Sequence, residues 1–183
     1  MNDTMFWSLI DASRDNARKL ARRPGQDFAD VQEQTLAALL KQLTPDEICD
    51  FDATFHQFHR KAYRWDLWGV AYWLRGGCSD DGFIDFRARL ISLGEKVFER
   101  ALRDPDSLAE VAGGPDVPYL ASEGFQYVAS RVYEEKTGEE MPLSLDVDGT
   151  PDEPAGEQFD FEDDERMRER FPRLLEKFPE MGD

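Results

Sequence analysis

Apolar residues return every three or four positions from the start of the chain, at Phe6, Ile10, Ala17 and Leu20, with Trp7 and Leu9 widening the stripe. That period predicts an amphipathic helix ending before Pro24-Gly25. A second helix follows, capped by Asp27 and carrying Phe28, Val31, Leu36, Leu39, Leu40 and Leu43. Thr44-Pro45-Asp46-Glu47 is a helix start: a capping hydroxyl, proline at the first helical position, and a glutamate three residues on to close a capping box. Ile48, Phe51, Phe55, Phe58 and Ala62 then line the buried face of a third helix.

From Trp65 to Leu74 apolar side chains cover almost the whole circumference of a helix, which predicts a place in the middle of the fold with Trp68 buried, together with Tyr72 or Trp73. After GGCSDDGF, the set Phe83, Ile84, Phe86, Leu90, Ile91 and Leu93 resumes the helical period until Gly94. Shorter helices are expected at 95–103, at 105–112 capped by Asp104, and at 119–136 with Gly138 as its stop. No strand pattern and no internal repeat occurs in the sequence. The expected architecture is all-α, an orthogonal multi-helix bundle: a helical domain over 1–138, an acidic loop over 139–159 with no core residue beyond Met141, Leu143 or Leu145, and a helical segment over 160–183 packed on the domain and broken near Pro172.

Charge changes this picture at one end. The chain carries a net charge of −17, and 18 acidic and 6 basic residues lie after Tyr133 against 21 and 16 before it. So acidic a chain repels a phosphate backbone, so nucleic acid is not an expected partner. The acidic C-terminal segment instead suits a basic protein surface. Two cysteines, no secretory pattern at the N-terminus and no apolar run near the roughly 20 residues of a membrane span point to the cytoplasm, without a structural disulfide and without membrane association.

The candidate chemistry centres on GGCSDDGFIDF. Alignment of Gly82 with the sixth position of a calcium loop puts Gly77 first and Ala88 twelfth, where two carboxylates are required. The same alignment of DVDGTPDEPA on Gly149 puts Ser144 first and Ala155 twelfth. Neither is an EF-hand, and no metal or other cofactor is expected. Structural work is available to every residue: Gly76 or Gly77 can end one helix, and Ser79, Asp80 or Asp81 can cap the next. A functional loop built from Cys78, Ser79, Asp80, Asp81 and Asp85 is the alternative. Cys78 sits beside a helix N-terminus, which lowers a thiol pKa, but the adjacent carboxylates oppose thiolate. His56 and His59, with Asp52 one turn earlier, have the spacing of two metal ligands and a third. The competing reading pairs His56 with Asp52 and packs His59 near Tyr63. Trp68 and Arg87 complete the set of cleft candidates.

FWSLID at Phe6–Asp11 and WGVAYWLRGGCSDDGFIDFRARLISLG at Trp68–Gly94 resemble the bacterial family catalogued as domain of unknown function 4240, over most of residues 4–133. Ala88-Arg89 stands near where many members carry an aromatic residue. The resemblance implies a bacterial, mostly helical, cytoplasmic protein and implies no activity. Two function classes therefore stay open. One is a non-catalytic protein-interaction module, favoured by the acidic, proline-containing C-terminal segment. The other is a small-molecule-binding or hydrolytic enzyme using the GGCSDDGF loop with His56 or His59.

Overall fold

A computed structural model of the protein describes residues 1–20, 27–114, 117, 122–142 and 151–180. Within them the chain is all-α, with no strand and two isolated bridges. In order come α1 (Asp3–Leu20), α2 (Phe28–Leu40), α3 (Pro45–Lys61), α4 (Trp65–Arg75), α5 (Asp80–Ser92) and α6 (Glu95–Arg103). A 3-10 segment (Pro105–Glu110) and a 3-10 turn (Phe125–Tyr127) lead to α7 (Val128–Thr137), and α8 (Asp164–Arg170) and α9 (Pro172–Lys177) close the described chain. The expected stop at Pro24-Gly25, the start of the 119–136 helix and the acidic run with Leu143 and Leu145 lie outside the described residues.

Local signals do what their chemistry predicts. Asp27 accepts from the Ala29 amide at 2.7 Å, and at α3 the Thr44 hydroxyl accepts from the Glu47 N–H at 3.3 Å while the Glu47 carboxylate takes the Thr44 N–H at 2.8 Å. Gly76 closes α4 in the left-handed conformation, and Pro172 separates α8 from α9. Gly94 breaks α5 from α6 at φ 91°, and the Asp11 carboxylate occupies the space where a Cβ would stand, so both backbone and packing demand glycine there. Two signals fail. Asp104 does not cap the segment after it, because its carboxylate is taken by Arg173. Of the helix expected over 119–136, the described residues 122–127 are not α-helical, and α7 begins at Val128 behind Gly124 and a 3-10 turn.

Most of the core is one apolar cluster whose centre is aromatic, and Ala17, Phe28 and Val31 form a second, smaller one. Phe6 and Trp7 of α1 meet Phe51 and Phe58 of α3 and Phe98 of α6, with ring centroids 4.5 to 5.5 Å apart. Leu20, expected on the buried stripe of α1, is 59% exposed, and Ser13 is buried in the register between Ile10 and Ala17. The helix buried on nearly all sides is α5 rather than α4: Gly82, Phe83 and every residue from Phe86 to Ser92 are inside. In α4, Leu67, Val70, Ala71 and Trp73 are buried, but Trp68 and Tyr72 are only partly so. Trp68 is covered by Phe83 and Trp65 on its two faces, and Tyr72 meets Phe161 of the C-terminal segment, and neither cover is complete.

That segment is docked earlier than expected. Ala155 donates to the Tyr63 carbonyl at 2.9 Å and accepts from the Trp65 amide at 3.0 Å. Pro154 is buried, and Phe159 packs on the core against Gly69, where a Cβ would come within 2.7 Å of its ring. The basic residues of this acidic stretch make its attachments. Arg173 binds Asp104 and Asp106, and Lys177 donates to the carbonyls of Ala109 and Ala112 at 2.7 and 2.8 Å. Buried Asp106 also accepts the Leu174 N–H at 2.8 Å, and Trp73 donates its indole N–H to the Phe178 carbonyl at 2.8 Å.

Thr44→Ala removes one arm of the capping box and is expected to lower stability by about 1 kcal/mol in a urea titration. Phe58→Ala, at the centre of the aromatic cluster, is expected to cost about 3 to 5 kcal/mol. Trp68→Ala should cost clearly less in the same titration, since its ring is only partly covered; equal losses would show that Trp68 is a core residue after all.

Candidate ligand cleft

The loop that joins α4 to α5 is short. Asp80 and the residues after it are already helical, so the stretch that a calcium loop would need as an open ring is wound into α5. Ser79 caps that helix, its hydroxyl accepting from the Gly82 N–H at 3.2 Å. The Trp68 indole N–H donates to the Cys78 carbonyl at 3.0 Å, and its ring stacks on Phe83 with centroids 4.8 Å apart. Trp68 is thereby held at the mouth of a cleft of about 190 Å³, lined also by Tyr63, Asp80, Phe83, Ile84 and Arg87.

Arg87 is 5% exposed. Its Nε donates to the Phe83 carbonyl at 3.3 Å and its Nη1 to the His59 carbonyl at 3.2 Å. The rings of Tyr63 and Phe83 lie 4.8 and 5.0 Å from the guanidinium carbon. Burial pulls its pKa down to about 10, which still leaves it charged at neutral pH. No carboxylate among the described residues forms an ion pair with it.

The other candidates are distributed rather than convergent. Asp80 and Asp81 are exposed in the first turn of α5. Asp85 is partly buried and accepts from Gln126 at 3.3 Å; burial, then the nearby Glu123 carboxylate, raises its pKa. Burial likewise raises the Cys78 thiol, with Asp85 and Asp80 adding to the effect against Arg75, so the thiol stays protonated at neutral pH. His56 lies 3.5 Å from the buried carboxylate of Asp52, the pairing the spacing predicts. Burial raises Asp52 and the His56 ring opposes it. His59, expected to pack near Tyr63, meets the Ile84 carbonyl through its Nε2 at 3.1 Å and stacks its ring on Phe55 at 5.9 Å. None of Asp80, Asp81 and Asp85 pairs with either histidine among the described residues, and no three of their His, Cys, Asp and Glu side chains cluster as a metal site would require.

The helix α3 therefore sends its two histidines to different work, and the cleft is an aromatic one with a cation in its wall. Its most informative member, Arg87, was visible in the sequence only as part of a long motif, because spacing does not distinguish a buried arginine from a solvated one.

The fold and cleft define an all-α protein with a small, aromatic, cation-bearing surface site. A family model described as "Protein of unknown function (DUF4240)" matches residues 1–135, and the chain belongs to that family. No curated protein and no solved structure matches it. The match ends within α7, so the acidic segment packed on α4 lies outside it. Among the described residues no helix is long and apolar enough to cross a membrane.

The environment of His59 has a measurable consequence. Burial first, then the Arg87 charge, push its pKa down to about 3, against the bond to Ile84 that raises it. Between its ordinary value near 6.5 and that value the unfolded chain binds the proton and the folded one does not, so this group's contribution to stability is lost as pH falls through that window. The His59 ring resonances are expected to remain those of a neutral imidazole at pH 5 by NMR, and His59→Gln, which keeps a donor for Ile84, should flatten the fall in melting temperature between pH 6.5 and 4. A His59 ring protonated at pH 5 would contradict the packing described.

Proposed function

We propose that the protein is a non-catalytic interaction module whose partner offers basic side chains to the face shared by α4 and the C-terminal segment. The observation that carries this reading is a contiguous set of four partly exposed rings. Trp65 stacks on Trp68 at 5.6 Å, and Phe161 lies 6.1, 6.4 and 5.4 Å from Trp65, Trp68 and Tyr72. Beside them Glu162 accepts from the Tyr72 hydroxyl at 3.2 Å, and Asp160 is exposed. Ring faces rimmed by carboxylates complement a lysine or arginine side chain, whose cation interacts with the π face while its charge is met at the rim.

The charge pattern of the segment supports the same partner. Arg166 and Arg170 pair with Glu157, while Arg173 and Lys177 hold the segment to the body. Exposed Asp164, Glu165 and Glu169 have no basic partner among the described residues and give the face its negative field. The non-catalytic part of the reading rests on the groups an enzyme would need. The Cys78 thiol is held protonated, His59 is held neutral against a backbone carbonyl, and His56 is paired with Asp52 away from the loop acids.

The test is calorimetric titration of the full chain with tetralysine blocked at both ends, at low salt. Phe161→Ala leaves the net charge unchanged and is expected to weaken binding about threefold to fivefold, the size of an exposed cation–π contribution. Glu162→Gln should weaken it and reduce its salt dependence. Binding that ignores Phe161→Ala and follows net charge alone would show that the peptide meets a diffuse acidic surface, and the reading would fall.

A further inference from the structure

Arg87 brings a positive charge into α5 and receives no counterion. A guanidinium carries five N–H donors, and two bonds are made here, to the carbonyls of Phe83 and His59. Among the described residues Nη2 has no acceptor. Two carbonyl dipoles and two ring faces moderate the charge, but a charge removed from water is costly until an anion meets it with the right geometry. The place for such an anion is the cleft that Arg87 lines.

The rest of the lining restricts what the anion can be attached to. Tyr63 and Trp68 are partly exposed aromatic walls, and Phe83 and Ile84 form the apolar floor. Asp80, exposed at the rim, repels a bare polyanion such as phosphate and accepts from an N–H. At about 190 Å³ the cleft is smaller than the usual site for a drug-sized ligand, about 300 to 1,000 Å³, and suits a group the size of one amino acid. We propose that this cleft binds a terminal carboxylate flanked by an N–H donor and an aromatic side chain. The carboxylate meets the Arg87 fork, the N–H meets Asp80, and the ring lies against Tyr63 and Trp68. A free aromatic amino acid and the C-terminal residue of a peptide share that chemistry. The site is opposite in polarity to the face that takes basic side chains and lies on the other side of Trp68, so it does not rest on that reading.

The experiment titrates the full chain with phenylalanine, glycylphenylalanine, phenylalaninamide and 3-phenylpropionate, read by calorimetry and by the Trp68 indole resonance. Phenylalaninamide, without the carboxylate, is expected to bind about tenfold or more weakly than phenylalanine. Asp80→Asn, at an exposed position, should keep the fold and erase the preference for phenylalanine over 3-phenylpropionate, which lacks the amine. Arg87→Lys keeps the charge but not the fork and should weaken phenylalanine about tenfold; if that variant unfolds, the amide comparison and Asp80→Asn still decide. Binding of phenylalanine alone identifies the free amino acid, and equal binding of glycylphenylalanine identifies a chain end. Phe161→Ala should leave all four affinities unchanged, which separates this site from the basic-partner face. The proposal is overturned if phenylalaninamide binds as well as phenylalanine, if Asp80→Asn leaves the preference intact, or if neither phenylalanine nor glycylphenylalanine binds at millimolar concentration.

Discussion

The fold is organised around a wholly buried arginine. Arg89 of α5 is 1% exposed, and its Nη1 donates to the Gln32 side-chain carbonyl at 3.2 Å and to Ser92 Oγ at 2.9 Å. Gln32 in turn donates to the Ser92 carbonyl at 2.7 Å, and Thr35 donates to the Ser13 carbonyl at 2.7 Å, so α1, α2 and α5 are joined by one polar network inside an apolar core. Such a network is directional where apolar packing is not. It favours the observed rotation of α5 about its axis, which brings the buried guanidinium to the Gln32 acceptor.

Arg87 follows from that constraint. Two residues along a helix turn the side chain roughly 200° around the axis, so anchoring Arg89 against α2 sends Arg87 to the opposite side of α5, toward α3 and α4. There it meets the His59 carbonyl and the Tyr63 ring. Arg89 is enclosed on all sides and donates to the side chains of Gln32 in α2 and Ser92 in α5, whereas Arg87 reaches only carbonyls and rings beside a cleft. The contrast separates a structural arginine from one with binding capacity left over. His59 belongs to the same arrangement, since the Arg87 charge beside it adds to burial in keeping its ring neutral.

The C-terminal segment shows how charge of one sign is attached without being neutralised. Arg166, Arg170, Arg173 and Lys177 are spent on a few defined points, Asp104, Asp106, Glu157 and two backbone carbonyls, while Arg168 and most of the acids remain in solvent. Buried Asp106 is the anchor with the most to lose, because it accepts backbone and side-chain donors from the start of α9 together. Phe159 and Phe161 cover α4 only in part, and that incomplete cover leaves Trp65, Trp68 and Tyr72 accessible at their edges.

What the sequence determined by itself is the part of the structure encoded by neighbours. Helical period, the capping box at Thr44, the cap at Ser79, the stop at Gly76 and the Asp52–His56 pair all lie within four residues of their partners, and the backbone satisfies them wherever the helix goes. Exclusion of the calcium loop was local in the same sense. What the tertiary structure decided is which faces were covered and by what. An all-round apolar α4 and an arginine-bearing α5 exchange roles because burial depends on the surrounding helices, and a guanidinium 1% exposed is met by Gln32, which arrives from α2, 57 residues away. The capture of Asp104 by Arg173, across 69 residues, overrode a cap that local chemistry offered. The cleft itself is of this second kind, since Tyr63, Trp68, Asp80 and Arg87 come from separate turns of the chain and meet only when α3, α4 and α5 are packed together.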